Sequence, residues 1–265
     1  LELSSPDPFL GRKEEAMTEE LAQQSRRNIV LVSLFIAVLL FTAFHEGYVP
    51  LISLTLWGSI GFGLALSLWL AFRISTARLV SLMLIITFLE YVKESIGIRS
   101  GMWVYHGIKG FYLFGVWLWV LAGLAVFTLS TQIVIPRLRH LTVSPPKWVN
   151  PVLLILLYLV ILLTIGPYAP GASVLFWSFY TIVLIYGLYV SLNMGFATLA
   201  GLVLTAWLGG NISEYVGSVA SQAWTFPQNP MYPPLYLLFG CWPLEVVAQY
   251  ALSGFLAGET LEPYP

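Results

Sequence analysis

From Glu90 to Trp117 the chain reads EYVKESIGIRSGMWVYHGIKGFYLFGVW, and from Glu214 to Trp242 it reads EYVGSVASQAWTFPQNPMYPPLYLLFGCW. Each stretch holds a Glu with a Gly three residues later (Glu94 and Gly97; Glu214 and Gly217). Each then has a Trp with an aromatic two residues on (Trp103 and Tyr105; Trp224 and Phe226). A loop follows, and a Leu-Phe-Gly-x-Trp segment opens the next apolar run, ending at Trp117 in one case and Trp242 in the other. Charged and aromatic stretches of this kind, set between long apolar runs, imply a duplicated membrane unit with a site between the copies.

The surrounding chain fixes the fold class. Of 265 residues, 58% are hydrophobic and 9% charged, with a mean hydropathy of +0.82. A soluble domain carries roughly a quarter charged residues. The apolar runs have the roughly 20-residue length needed to cross a hydrocarbon core. In lipid such runs become helices, because a helix satisfies its own backbone, whereas a barrel needs in–out alternation that is absent here. The expected fold is therefore all-α, a polytopic membrane helix bundle. Its eight spans are expected near 28–46, 51–72, 78–98, 112–135, 150–166, 172–192, 196–220 and 233–257.

Arg26, Arg27, Arg73, Arg78, Arg137, Arg139 and Lys147 all fall at one end of such a bundle, with Lys93, Arg99 and Lys109 at or near the other. The positive-inside rule then places both termini in the cytoplasm, in an integral protein of a prokaryotic plasma membrane. At an offset of 120, Tyr48 meets Tyr168, Pro50 meets Pro170, Ser53 meets Ser173 and Trp57 meets Trp177. Glu94 and Gly97 meet Glu214 and Gly217 at the same offset, and Trp103 meets Trp224 one residue later. The expected organisation is a polar N-terminal tail at 1–27 and a four-helix repeat at 28–136. A cytoplasmic linker at 137–149, a second repeat at 150–258 and a tail at 259–265 complete it. The two repeats are parallel. Residues 1–16 read as a disordered tail or an appended linker ahead of a second start at Met17.

A net charge of −1 leaves no basic stripe for nucleic acid, and the single Cys241 excludes a disulfide framework or a cysteine zinc site. Five glutamates, Glu46, Glu90, Glu94, Glu214 and Glu245, lie in or at the apolar runs. Ionisable groups there cost at least a few kcal/mol each, so they mark function or pairing. Glu90 and Glu94 share a helix face, and Lys93 either neutralises one of them or snorkels to the interface. Glu245 has no basic neighbour in sequence and is the first choice for a general acid, with Glu90, Glu94 and Glu214 as further catalytic candidates. Trp103, Tyr105, Trp117, Trp224, Phe226, Trp242, His45 and His106 are the candidate substrate-binding residues. Trp119 belongs with these aromatics, and an interfacial aromatic belt accounts for half of them. Two His with several Glu have the chemistry of metal ligands, but their spacing matches no metal motif. No metal or cofactor is expected. Gly209-Gly210-Asn211 marks either close helix packing or a break, and Pro243 is expected to kink the last helix.

Glu94-Ser-Ile-Gly-Ile-Arg-Ser-Gly101, Tyr105 and Leu113-Phe-Gly-Val116 together resemble the signature of membrane carotenoid hydratases. The segment from Trp224-x-Phe226 to Trp242-Pro-Leu-Glu245 is similar to the small membrane lycopene cyclases. Trp117 stands where the hydratase pattern has Pro, and Val246 where the cyclase pattern has a second Glu. The cyclase repeat has three helices where four are read here. The resemblance covers about 60 residues. It implies an enzyme that hydrates or cyclises a terminal double bond of a long isoprenoid, using carboxylic-acid proton chemistry. The partner is then a membrane lipid or isoprenoid, with no nucleic acid. Two other readings stand beside it. One is a proton- or cation-coupled transporter with its glutamates at the repeat interface; the other is a non-catalytic subunit that binds lipid or pigment.

Overall fold

Apolar runs leave a backbone in lipid no partner but itself, and eight helices form among the described residues. The computed structural model describes residues 8–47, 53–106, 113–141, 145–166, 171–228 and 233–259, with side chains from Met17 onward. The helices are α1 (Pro8–His45), α2 (Leu54–Ala71), α3 (Thr76–Arg99), α4 (Leu113–Leu129), α5 (Val149–Thr164), α6 (Val174–Ser191), α7 (Phe196–Glu214) and α8 (Trp242–Leu256). Five are long and apolar enough to cross a membrane: α1 from Met17, α2, α4 with its extension to His140, α6, and α7 with its extension to Ala220. The Tyr48–Tyr168 and Pro50–Pro170 matches, and Lys109, lie outside the described residues.

Three helices contain π-turns. One, at Ser130–Val134, carries α4 on through Ile135–Leu141; a second, at Tyr215–Ala220, ends α7; a third, at Leu237–Cys241, leads into α8. The first and third lie just before Pro136 and Pro243. Proline lacks an N–H and its ring collides with the carbonyl four residues back, so a widened turn there relieves both problems. The π-turn of α7 has another origin. The offset between the two motifs changes from 120 at Gly97/Gly217 to 121 at Trp103/Trp224. A π-turn is how a helix absorbs one extra residue.

Two departures from the sequence reading concern helix ends. The first helix starts at Pro8, so much of the expected polar tail is helical and continuous with the apolar run; good helix formers such as Arg12, Lys13, Glu14, Glu15 and Ala16 allow this. Helix α4 reaches Leu141, into the expected linker.

Equivalent contacts recur at matching positions. Ser53 and Ser173 cap α2 and α6 by accepting from Leu56 N at 3.2 Å and Phe176 N at 3.3 Å. The Asn28 amide donates to Ala71 O and Ile74 O, both at 2.9 Å, and that of Asn150 to Ser191 O at 3.1 Å and Met194 O at 2.6 Å. Each Asn thus ties a first helix to the turn after the second. At the opposite end, β1 (Val104–Tyr105) and β2 (Trp224–Thr225) pair antiparallel, with Val104 opposite Thr225 and Tyr105 opposite Trp224. The two motif loops therefore meet face to face. Behind them lie two apolar cores, one among α1–α4 and one among α5–α8 that also takes in Met102, Trp103, Trp119, Val126 and Ile135.

Candidate functional site

Residues 90, 93 and 94 fall on one face of α3, and residues 245 and 249 on one face of α8, because three- and four-residue spacings superpose on a helix. The two faces pack together. Glu90, Lys93, Glu94, Glu214 and Glu245 are all buried, none more than 4% exposed. Lys93 Nζ pairs with Glu90 Oε2 and lies 3.2 Å from Glu245 Oε2. The ammonium also sits 5.2 Å from the Trp119 ring centre and 5.1 Å from that of Trp242, within cation–π range. Lys93 therefore turns inward and does not snorkel. The partner that Glu245 lacks in sequence comes from α3.

Two residues outside the expected site complete this half of the cluster. Gln249 Nε2 donates to Glu90 Oε1 at 3.1 Å, and the Tyr180 hydroxyl donates to Glu245 Oε1. Gln249 left a trace in the sequence as a polar residue one turn after Glu245. Tyr180 left none, since it sits in the aromatic run FWSFY, like any membrane-interface tyrosine.

Glu94 and Glu214 are held in matching ways. Trp103 Nε1 donates to Glu94 Oε2 at 2.8 Å, and Trp224 Nε1 to Glu214 Oε2 at 2.9 Å. Glycines make room for both indoles, because a Cβ on Gly97 would run into the Trp103 ring and one on Gly217 into the Trp224 ring. Gly101, with φ +67°, turns the chain back after α3 so that Trp103 can reach this position. The matching residue after α7 is Gln222, at φ 53°. Glu214 also accepts from Trp242 Nε1 at 3.2 Å. On the other side, Trp119 Nε1 donates to the Tyr105 hydroxyl at 2.8 Å, and that hydroxyl lies beside Glu94. The aromatic contacts cross between loops in the same pattern, Trp103 with Phe226 and Tyr105 with Trp224.

A space of about 10 Å³ remains between Lys93, Glu94, Glu214, Trp119 and Trp224, about the minimum for one water. Glu90 and Glu245 do not line it; they form a layer behind it with Lys93, Gln249 and Tyr180. With one ammonium among four carboxyls, three of the carboxyls need a proton or an outside cation for the centre to be neutral. Buried charge left uncompensated is too costly to persist.

The remaining predicted residues lie elsewhere. Trp117 faces α1, edge-on to Phe35 at 5.9 Å between ring centres. His45 stacks on Phe41, and His106 Nε2 contacts Thr225 Oγ1 at 2.8 Å at the loop surface. Glu46 caps α4, accepting from Leu113 N and Phe114 N, each at 3.1 Å. Among the described residues no three His, Cys, Asp or Glu side chains converge as a metal-binding group. Gly209 and Gly210 lie in unbroken helix: a Cβ on Gly210 would come within 2.8 Å of the Trp242 ring, and one on Gly209 would meet Val126. Close packing is their role.

Comparison of the chain with protein-family models, curated proteins and solved structures gives no match.

Proposed function

We propose that this chain is an integral membrane enzyme that performs proton chemistry on a terminal double bond of a long isoprenoid, of the carotenoid type that the motif resemblance implies. The observation that carries this reading is the buried pair Glu94 and Glu214, each fixed by an indole N–H and both facing one small space. One carboxylic acid transfers its proton, by way of a water in that space, to an alkene carbon lying against Trp119 and Trp224, leaving a carbocation that those indole faces stabilise. Water then adds to the cation, and the excess proton of the adduct passes to the second carboxylate. In the cyclising variant a neighbouring double bond closes on the cation and a ring carbon loses the proton. This geometry favours Glu94 and Glu214 over Glu245 as the acid–base pair. Glu245 and Glu90, with Lys93, hold the charge behind them.

The proposed topology is eight spans in two parallel four-helix units, with both termini in the cytoplasm of a prokaryotic plasma membrane. Matching Ser caps, Asn ties and Glu–Trp pairs support the two units. The basic residues gathered at one end of the helices support the orientation.

The test is conversion of an acyclic polyene with terminal isopropylidene groups by the purified protein in lipid vesicles, read as a gain of one water or as a cyclic isomer. Glu94→Gln and Glu214→Gln are each expected to lower the rate about 10²–10⁴-fold while the protein stays folded. Undiminished conversion in both variants would falsify the assignment. The charge count favours a second reading, since four carboxyls and one ammonium at a helix-bundle interface also suit a proton-coupled transporter. Substrate-dependent proton flux, lost in the same variants, would select it.

A further inference from the structure

A slot of about 370 Å³ opens on the side of the molecule between α2, α4 and α7. Its lips are exposed apolar residues, Phe62 at 61% and Ile212 at 63%. Its floor is α4, lined from Leu118 to Leu129. Eleven residue steps at about 1.5 Å make it roughly 16 Å long. Its volume lies in the range of small-molecule sites, so the slot is long and narrow. Small residues on all three helices line it: Gly58 and Ser59 on α2, Ala122 and Ala125 on α4, and Ser213 on α7.

Trp119 and Trp224 close its inner side, their rings edge to face at 5.1 Å between centres. The same two indoles line the small space between Glu94 and Glu214. These two indoles are thus shared by the slot and the small space beside the carboxylates.

We propose that this slot binds the linear hydrocarbon chain of a long isoprenoid, admitted sideways from the bilayer, with its reactive end against Trp119 and Trp224. The proposal rests on the enzymatic reading above and adds the route and the seat of the substrate. The open side lies among exposed apolar side chains, so the slot takes its ligand from lipid. The aromatic end-wall, with carboxylates behind it, favours an isoprenoid over a saturated acyl chain. Alkene carbons give those groups something to stabilise and protonate, and the small-residue walls leave room for methyl branches. Gly58 lines the slot and a Cβ there meets nothing within 4 Å, so a larger side chain at this position takes up slot space.

A linear polyprenyl alcohol carrying a diazirine, incorporated in vesicles with the protein and photolysed, tests this directly. The expected adducts map to the slot faces of α2, α4 and α7. They fall at least tenfold in Gly58→Leu and persist in Gly61→Leu, a control that also faces open space on α2 but does not line the slot. Both substitutions improve helix propensity, and thermal unfolding confirms that both variants fold. Adducts spread evenly over all lipid-facing helices, or labelling that ignores Gly58→Leu, overturn the proposal. So does equal slot labelling by a diazirine phosphatidylcholine, which would make this an acyl-chain site. If the slot labels as expected but the unsubstituted protein converts no polyene, the binding site stands and the catalytic reading falls.

Discussion

Two regions of this molecule, around Glu94 and around Glu214, repeat the same contacts and differ in what surrounds them. Glu94, Gly97 and Trp103 in one half correspond to Glu214, Gly217 and Trp224 in the other, and both sets adopt the same indole-to-carboxylate contact. Around this common element the halves diverge. At the offset of 120, Glu90 and Lys93 correspond to Gly210 and Ser213, and Tyr180 to Ile60. At the offset of 125 that aligns Phe114 with Phe239, Glu245, Gln249 and Tyr250 correspond to Val120, Leu124 and Ala125. Of these polar residues, Glu90, Lys93, Tyr180, Glu245 and Gln249 meet at one interface, that of α3 with α8 and α6, while the Tyr250 ring lies against Arg78 and Phe127. At the corresponding interface of α7 with α4 and α2, small and aliphatic residues leave the apolar slot. The paired Glu–Trp loops thus have a charged core on one side and an apolar opening on the other. The proposed reaction, in which an apolar substrate reaches a buried acid, needs both.

The largest expected effect tests the asymmetric side. Lys93→Met removes the cation and leaves Glu90 and Glu245 buried without it, which costs about 3–5 kcal/mol. Unfolding in detergent should shift down by on the order of 10 °C. The double variant Lys93→Met with Glu245→Gln should recover a substantial part of the loss. A single variant as stable as the parent protein would mean that the ammonium does not hold the cluster together.

The shared element predicts paired effects. Gly97→Ala and Gly217→Ala both push a Cβ into an indole, and each should cost about 1–3 kcal/mol, whereas Gly61→Ala should be neutral or slightly stabilising. If only one member of the pair is sensitive, the halves are not equivalent at this contact.

Smaller, matched losses should follow at the opposite end. Asn28→Ala and Asn150→Ala each remove two buried hydrogen bonds to carbonyls, worth together about 1–3 kcal/mol. Urea or thermal melts of the two variants should agree closely. Smallest are the caps: Ser53→Ala and Ser173→Ala should each cost about 0.5–2 kcal/mol, and a difference between them would show how far the two helix starts have diverged.

Several of these pairs were legible in the sequence, because Glu, Gly and Trp at fixed spacing stand out against an apolar background. All eight helices were legible as well, since hydropathy and length are local properties. Less visible was the direction in which a side chain turns. Lys93 reads equally well as a snorkelling interfacial lysine, and its inward course depends on which face of α3 meets α8. Glu46 reads as an intramembrane carboxylate like the others, yet it caps the start of α4. Trp117 and Trp242 occupy matching positions in sequence, but only Trp242 reaches a carboxylate. Trp119, two residues on, takes the place beside Tyr105 and Trp224.

The sequence by itself determined the membrane helices, the paired Glu–Trp motifs and the presence of buried carboxylates. All of these follow from composition and spacing within single segments. Only the tertiary structure decided that Lys93 joins Glu90 to Glu245, that Tyr180 and Gln249 belong to the centre, and that an apolar slot ends on Trp119 and Trp224. Those facts depend on the rotation and register of helices far apart in the chain. Packing at interhelical contacts sets these, and no local pattern encodes them.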